Sequence, residues 1–367
     1  MFTSAVLIPG MLVWFAMDDV NKVSAFDKAV RIDGQFEKVV SGKDTLARTS
    51  WSGTEYTLAF EGSKVSINLK SPANVFGVVI DGKEFPPLDL STNSDELHLL
   101  AEKLEKGLHI VSVAKRTESS QGDDIFKGFE IVGVPKADAL PPPPKLKIEF
   151  FGNSITAGYG VLDSVKEHDY APITEDVFSS YAGVAAKELH AQMRTVAFSG
   201  RGIFINHPDS KDDRPLPAFF DKLGVNTTAD TADLSSNWQP DIAIIELGTN
   251  DFSRSVAPDS AKFVNAVIDF AKAIRKKYAD ANIVILDGPM LNDFYPEGVP
   301  SLSLCRKFLD AAKSELENRG FKKIHRFSLS PQDGSLGYGA NWHPSKSQSL
   351  KNGKELAEFL RTVTRVQ

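Results

Sequence analysis

The chain has 367 residues, of which 42% are hydrophobic and 25% are charged. This composition is typical of a globular protein long enough for two domains, and it excludes a disordered chain, a collagen-like fibre and a multi-span membrane protein. The formal net charge is −6, so we expect no nucleic-acid partner. The single cysteine, Cys305, excludes an intrachain disulfide framework and a cysteine-rich metal site.

The first 17 residues contain no charged side chain. Pro9 and Gly10 interrupt this apolar segment, which is too short to span a bilayer. Ala16 is a small residue near the end of the segment, as at a signal-peptidase site, although the segment lacks Lys and Arg. We interpret residues 1–17 as a secretory signal peptide and expect an extracellular protein. The alternative is an apolar extension of the first domain in a cytoplasmic protein.

Residues 20–136 have the pattern of an antiparallel β-sandwich. Short segments rich in Val, Ile, Phe and Thr, such as TEYTLAFEG, SKVSINLK and NVFGVVIDG, are separated by turn residues roughly every 8 to 15 positions. Asp81 and Gly82 form a hairpin-turn signal. The segment LHLLAEKLEKGLH at 97–109 fits either a short helix or a strand pair, and we interpret it as strands.

Four consecutive prolines at 141–144 mark the boundary between two regions. Consecutive prolines favour a stiff polyproline spacer, so we assign residues 137–146 to a linker. We expect few contacts across this boundary, and we therefore expect that deletion of residues 1–140 leaves a foldable second domain.

Residues 147–367 alternate between apolar strands and amphipathic helices, which indicates a parallel sheet of about five strands covered on both faces. The predicted strands are KIEFFG, TVAFSG, DIAIIELG, NIVILDG and KKIHRFSL. The predicted helices are YAGVAAKELHAQM, SAKFVNAVIDFAKAIRKKY, SLCRKFLDAAKSELENRG and KNGKELAEFLRTV. The long polar segment 205–240 is typical of a functional or locally folded loop.

Ligands of an open parallel sheet bind beyond the carboxyl ends of its strands. Ser154 follows the first of these strands and can act as a nucleophile, and His343 precedes the last helix and can act as its base. The backbone N–H groups of Ser154 and Gly200 and the side-chain amide of Asn250 can stabilise a tetrahedral oxyanion. This set of residues predicts acyl-transfer chemistry.

The segments GNSITAGYG, SGRG, GTND and NWHPS, in this order, resemble the four signature blocks of the SGNH (GDSL-type) hydrolases. The residues that name this superfamily would be Ser154, Gly200, Asn250 and His343. Upstream, FEGSKVSINL, VVIDGK, GLHIVSVAKRTES and FKGFEI resemble the jelly-roll domain of carbohydrate esterase family 2. The resemblance implies a jelly roll joined to a three-layer α/β/α SGNH domain. It also implies a serine esterase that removes O-acetyl groups from plant polysaccharides such as xylan or mannan through an acyl-enzyme.

Two positions depart from the superfamily pattern. Asn153 replaces the usual Asp before the nucleophile, and it retains one acceptor for the turn. Ala340 and Asn341 occupy the positions where an Asp normally precedes the histidine, so no carboxylate stands there. A backbone carbonyl, as described for some family 2 esterases, or the Asn341 amide oxygen would then orient His343. Three carboxylates from other loops are the alternatives: Asp251, Asp287 and Asp293.

Trp342 adjoins the base and is the expected substrate-binding aromatic residue, and His207 in the long loop is a further candidate for substrate contact. Other aromatic candidates lie in loops near strand ends: Tyr159, Trp238, Phe252, Tyr295 and Tyr338. Neither an HExxH motif nor a cysteine pair is present, so we expect no metal and no cofactor. The expected partner is an acetylated polysaccharide or oligosaccharide, and the expected state is a monomer. The alternatives are a lipase or thioesterase of the same superfamily and a carbohydrate-binding protein without turnover.

Overall fold

The computed structural model describes residues 7–8, 11–12, 19–92, 96–226 and 237–365. Most of the segment interpreted as a signal peptide lies outside these ranges, so that interpretation stays a prediction. Two short strands, β1 (Leu7–Ile8) and β2 (Met11–Leu12), pair antiparallel within it. In the described ranges, no helix combines the length and the apolar character that a membrane span requires.

The N-terminal region, called the β region below, consists of antiparallel strands, as the sequence predicts. The strands are β3 (Val20–Ser24), β4 (Val30–Asp33), β5 (Phe36–Ser41), β6 (Asp44–Thr49), β7 (Glu55–Lys70), β8 (Val75–Ile80), β9 (Lys83–Asp89), β10 (Leu97–Ala101), β11 (Gly107–Lys115) and β12 (Asp124–Pro135). Asp81 and Gly82 connect β8 to β9, and the strand pair predicted over 97–109 becomes β10 and the start of β11, which both pair with β7. Both interpretations are confirmed.

The core of the β region forms around β7, which is 16 residues long. Its first half pairs with β4 and β11, its second half pairs with β10, and β12 runs along both halves. Side chains that alternate along β7, including Leu58, Phe60, Ile67 and Leu69, are fully buried. These residues belong to one hydrophobic core, so apolar side chains from both halves of β7 contribute to the interior of the β region.

The C-terminal region, called the α/β region below, contains a parallel five-stranded sheet in the order β14-β13-β15-β16-β17, as predicted. Its strands are β13 (Leu146–Gly152), β14 (Ala191–Ala197), β15 (Ile242–Glu246), β16 (Asn282–Asp287) and β17 (Ile324–Ser328). Its helices are α1 (Ser154–Ala157), α2 (Tyr181–Glu188), α3 (Ser260–Lys277), α4 (Ser301–Asn318) and α5 (Lys346–Arg365).

One predicted helix is too long. The segment YAGVAAKELHAQM was predicted to be helical throughout, but α2 ends at Glu188 and the last three residues begin β14. His190 has a left-handed backbone (φ 48°), which turns the chain between the two elements. Gln192 then pairs with Lys147 in the parallel ladder, so tertiary pairing overrides the local helical pattern.

The two faces of the parallel sheet bury different helices. Ile242 and Ile244 of β15 belong to the core that includes residues of α2 and α5. Ala243 and Ile245 face the opposite core, formed with α3 and α4. Because every strand is covered on both faces, the carboxyl-end loops are the part of this sheet that remains available for a ligand.

The expectation of few contacts between the two regions is wrong. Trp51, in the turn between β6 and β7, is 1% exposed and belongs to the hydrophobic core of the α/β region. Its Nε1 donates a hydrogen bond to the Lys222 carbonyl (2.8 Å). The Ser52 carbonyl accepts a hydrogen bond from the Thr195 hydroxyl (2.6 Å). The exposed prolines separate the regions along the chain, but the regions share buried surface, so we no longer expect residues 141–367 to fold alone.

Candidate active site

Ser154 is held at a sharp turn between β13 and α1. A Cβ atom at Gly152 would lie 1.9 Å from the Thr156 hydroxyl, so only glycine fits at the end of the strand. Asn153 caps α1, and its Oδ1 accepts a hydrogen bond from the Ile155 N–H (2.9 Å). The asparagine therefore retains the acceptor that the sequence predicts. This turn places Ser154 at the N-terminus of α1 with 8% of its surface exposed.

The predicted nucleophile and base meet in the structure. The Ser154 Oγ lies 2.8 Å from Nε2 of His343, although 189 positions separate these residues in the sequence. Nδ1 of His343 lies 3.1 Å from the carbonyl oxygens of both Ala340 and Asn341. Because carbonyl oxygens only accept hydrogen bonds, the proton of the neutral imidazole lies on Nδ1, and Nε2 is free to accept the Ser154 proton.

Asn341 orients the base through its main chain rather than through its side chain. Of the two acceptors predicted for Nδ1, the backbone carbonyl is the one observed, since the Asn341 amide Nδ2 donates to the Tyr159 hydroxyl (2.8 Å). Asn341 and Trp342 both have left-handed backbones (φ 49° and 61°), and this bend precedes His343. The Tyr159 ring stacks on the imidazole, with ring centroids 4.3 Å apart. Asn341 therefore supports the stacked tyrosine as well as the bend.

The environment of His343 keeps the imidazole neutral. Burial lowers the pKa of His343 to about 4, the carbonyls of Ala340 and Asn341 act in the opposite direction, and the charge of His207 lowers the pKa further. An imidazole with this pKa is unprotonated at neutral pH, as a general base must be.

The three alternative carboxylates bind other groups. Asp251 accepts hydrogen bonds from the backbone N–H groups of residues 203–205. Asp287 forms ion pairs with two arginines, and Asp293 accepts hydrogen bonds from a serine. Among the described residues, no carboxylate forms a hydrogen bond with His343. The geometry is therefore that of a serine–histidine dyad whose base is oriented by main-chain carbonyls.

The residues that carry the predicted oxyanion donors line the same cavity as His343. Gly200 has a left-handed backbone (φ 76°), and its N–H, like that of Ser154, donates no hydrogen bond to another described residue. Nδ2 of Asn250 donates one proton to the Arg201 carbonyl (2.9 Å), which leaves its second proton available. Ser154, Gly200 and Asn250 line one cavity with a volume of about 590 Å³. The N–H groups of Ser154 and Gly200 and the side-chain amide of Asn250 are therefore suited to form an oxyanion hole.

Two further loops contribute to the cavity wall. The loop after β16 contributes Met290, Leu291 and Tyr295, and the long loop contributes His207. Tyr295 and His207 were both predicted candidates, whereas Met290 and Leu291 were not. Trp342, the expected substrate-binding residue, lies outside this lining. It is half exposed, and the Lys166 ammonium lies 4.0 Å from the centre of its ring. Contact between Trp342 and substrate stays a prediction.

Taken together, the parallel α/β region and the dyad beside its oxyanion donors define a serine hydrolase. Comparison with known proteins narrows this class. Residues 38–144 match the family Carbohydrate esterase 2 N-terminal, and residues 150–347 match the GDSL-like Lipase/Acylhydrolase family.

Named relatives share both regions. Cellulase/esterase CelE of Acetivibrio thermocellus is 35% identical over 300 residues, which cover 81% of this chain and 35% of that longer protein. An acetylxylan esterase / glucomannan deacetylase of Cellvibrio japonicus is 27% identical over 353 residues, covering 95% of this chain and 92% of the relative. The structure of a family two carbohydrate esterase from Clostridium thermocellum in complex with cellohexaose superposes with a TM-score of 0.82 at 31% identity. It covers 91% of this chain and 98% of that chain. The chain belongs to carbohydrate esterase family 2.

Proposed function

We propose that this protein is a serine esterase that removes O-acetyl groups from plant cell-wall polysaccharides such as xylan or mannan. The observation that carries the proposal is the 2.8 Å contact between the Ser154 hydroxyl and Nε2 of His343, at a cavity that three oxyanion donors also line. The activity of the acetylxylan esterase / glucomannan deacetylase relative, which aligns over almost the whole chain, supports the acetyl substrate.

The first half of the reaction forms the acyl-enzyme. The Ser154 Oγ attacks the acetyl carbonyl carbon while its proton passes to Nε2 of His343. The carbonyl oxygen becomes an oxyanion, which accepts hydrogen bonds from the N–H groups of Ser154 and Gly200 and from the Asn250 amide. When the intermediate collapses, the bond to the sugar oxygen breaks, and His343 returns its proton to that oxygen. The deacetylated sugar leaves, and the acetyl group remains on Ser154.

The second half of the reaction uses the same groups. Water attacks the acetyl carbon, and His343 accepts the proton that the water loses. The second oxyanion occupies the same three donors, and its collapse returns the proton to the Ser154 oxygen and releases acetate. The two carbonyls that accept from Nδ1 stabilise the transient imidazolium as dipoles, because no carboxylate in the described ranges contacts it.

The acetyl preference is supported by the acetylxylan esterase / glucomannan deacetylase relative. Tyr295 lines the cavity and is 72% exposed, so it can contact a sugar ring of the substrate. A hydrophobic pocket discriminates among acyl chains by roughly 1–3 kcal/mol per misplaced methylene. We therefore expect acetyl esters to react faster than long-chain esters, in contrast to a lipase.

Release of acetate from acetylated xylan and acetylated glucomannan tests the proposal. We expect acetate from the unaltered protein and, at most, a weak residual rate from folded Ser154→Ala. Activity within tenfold of the unaltered rate in folded Ser154→Ala would remove Ser154 from the mechanism.

A second comparison separates the alternative activities. Acetyl and octanoyl 4-nitrophenyl esters are compared at equal concentration, and faster hydrolysis of the octanoyl ester would favour a lipase. Binding of polysaccharide without release of acetate would favour a carbohydrate-binding protein.

A further inference from the structure

The loop between β11 and β12, residues 116–123, belongs to the β region but extends along the active-site side of the α/β region. The Arg116 guanidinium donates hydrogen bonds to the carbonyls of Ile173 and Glu175. The Ser119 hydroxyl accepts a hydrogen bond from the Val225 N–H (2.9 Å). This loop is therefore attached to the α/β region at several points.

Glu118, in the middle of this loop, reaches the segment that carries an oxyanion donor. Its Oε2 accepts a hydrogen bond from the backbone N–H of Ser199 at 2.8 Å. Its Oε1 accepts from the hydroxyl of Ser120, a neighbour in its own loop. Glu118 is 5% exposed and does not line the active-site cavity. It therefore acts on the site through Ser199 rather than on the substrate.

The residue after Ser199 is Gly200, and three hydrogen bonds hold the backbone on the two sides of its N–H group. On one side, Glu118 holds the N–H of Ser199. On the other side, the Gly200 carbonyl accepts hydrogen bonds from the N–H of His207 (2.8 Å) and the hydroxyl of Ser210 (3.1 Å). These contacts hold the peptide group before Ser199 and the peptide group after Gly200. The Gly200 N–H lies in the peptide group between these two, so its direction is restrained from both sides.

An oxyanion donor contributes only when it points at the position of the developing charge, within about 2.7–3.1 Å of the oxygen. Gly200 has a left-handed backbone and no side chain, so its local conformation is not restricted by its own residue type. Hydrogen bonds from other residues must therefore hold the backbone of Gly200 in place. One of them comes from the β region, 81 positions earlier in the sequence.

We propose that Glu118 is a positioning residue of the oxyanion hole, so that the β region completes the catalytic site of the α/β region. The proposal rests on the function proposed above and extends it. It assigns the β region a role in hydrolysis itself, which applies to small esters as well as to polymers.

The test compares Glu118→Ala with Glu118→Gln on 4-nitrophenyl acetate, which has no sugar to bind. Glutamine retains an oxygen that accepts from the Ser199 N–H, whereas alanine leaves that N–H without an acceptor. We expect kcat to fall by roughly 10- to 100-fold in Glu118→Ala, with KM within about twofold, since one donor is misdirected rather than removed. We expect Glu118→Gln to stay within about threefold of the unaltered kcat.

Two further variants complete the comparison. Ser120→Ala removes the other hydrogen-bond partner of Glu118 and leaves the Ser199 contact, so its kcat should match the unaltered protein. Glu118→Met fills the same volume without a strong acceptor, and it replaces Glu118→Ala if the alanine variant does not fold.

An alkylboronic acid supplies a measurement that a general loss of stability would not change. Its tetrahedral adduct with Ser154 places a boron-bound oxygen in the oxyanion hole, so its affinity should fall in Glu118→Ala by the same factor as kcat/KM. A folded Glu118→Ala with unchanged kcat, or with lower kcat but unchanged boronic-acid affinity, would overturn the proposal. If the unaltered chain hydrolyses no acetyl ester, the proposed function fails, and the boronic-acid affinities of the same variants still decide the role of Glu118.

Discussion

The two sides of the active site are held in different ways. On one side lies the base loop, residues 336–343, and on the other lies the oxyanion loop, residues 199–206. Main-chain carbonyls orient His343 in the base loop. Buried carboxyl groups hold the oxyanion loop: Asp251 accepts from the backbone N–H groups of residues 203–205, and Glu118 accepts from the N–H of Ser199.

The difference shows that, within the part of the chain that the structure describes, no other carboxylate replaces the missing triad carboxylate beside His343. A carboxylate beside an imidazole would raise its pKa and stabilise the imidazolium. Without one, burial keeps the pKa of His343 at about 4. The carboxyl groups of Asp251 and Glu118 instead hold the loop that carries the Gly200 N–H, an oxyanion donor. Positioning of the donors and basicity of the imidazole are therefore separable properties of this site.

The largest effect is expected from Asp251→Ala. The substitution removes the acceptor for three N–H groups and releases the loop that carries Gly200 and the Arg201 carbonyl, to which Asn250 is attached. Because two oxyanion donors are disturbed, kcat should fall by about 10³-fold or more. The acid limb of the pH profile of kcat/KM should remain in place, because Asp251 does not contact His343. A limb displaced by one pH unit or more would assign Asp251 to the base and contradict the comparison.

Asn250→Ala removes a single donor and leaves the loop anchored by Asp251. We expect kcat to fall by roughly 10²–10³-fold. The boronic-acid affinity should fall in parallel, since the adduct places an oxygen in the same hole. A change confined to KM would instead assign Asn250 to ground-state binding of the substrate.

The pH dependence of hydrolysis measures the pKa of the base, His343. Hydrolysis requires neutral His343, so kcat/KM falls as the pH drops below the pKa of His343, which burial lowers from 6.5 to about 4. We therefore expect activity to persist well below pH 6.5, with the acid limb near pH 4. His207→Gln removes a positive charge that lowers this pKa and should move the limb to higher pH. An acid limb near pH 6.5 in the unaltered protein would contradict the buried, uncompensated imidazole.

The smallest effect is expected from substitutions at Asn341. Both carbonyls that orient His343 belong to the main chain and remain, so the Asn341→Ala variant loses only the hydrogen bond to Tyr159 and the preference of asparagine for a left-handed backbone. A single neutral hydrogen bond contributes about 0.5–1.5 kcal/mol, so kcat should fall tenfold or less.

Asn341→Gly is the matched control for the backbone, because glycine adopts the left-handed conformation without strain. Its kcat should exceed that of Asn341→Ala. A thousandfold loss in both variants would show that the side chain, rather than the main chain, orients the base.

The sequence alone determined the reacting groups. Three of them, Ser154, Gly200 and Asn250, each follow an apolar run that becomes a strand, and His343 precedes the last helix. The carboxyl ends of parallel strands meet at one edge of the sheet. Placing these four residues around one cavity required only the correct order of elements. The antiparallel nature of the β region followed equally from its short alternating segments.

Only the tertiary structure decided what holds these groups in place. The acceptors for Nδ1 of His343 depend on the consecutive left-handed backbones of Asn341 and Trp342, which the sequence analysis did not predict. Two hydrogen bonds show this. Trp51 donates to the carbonyl of Lys222, 171 positions later in the chain, and Glu118 accepts from the N–H of Ser199, 81 positions later. Periodicity and motifs report each segment's own preference and the reactive side chains. Contacts between distant segments arise only when the two regions pack together, and here those contacts fix the oxyanion loop.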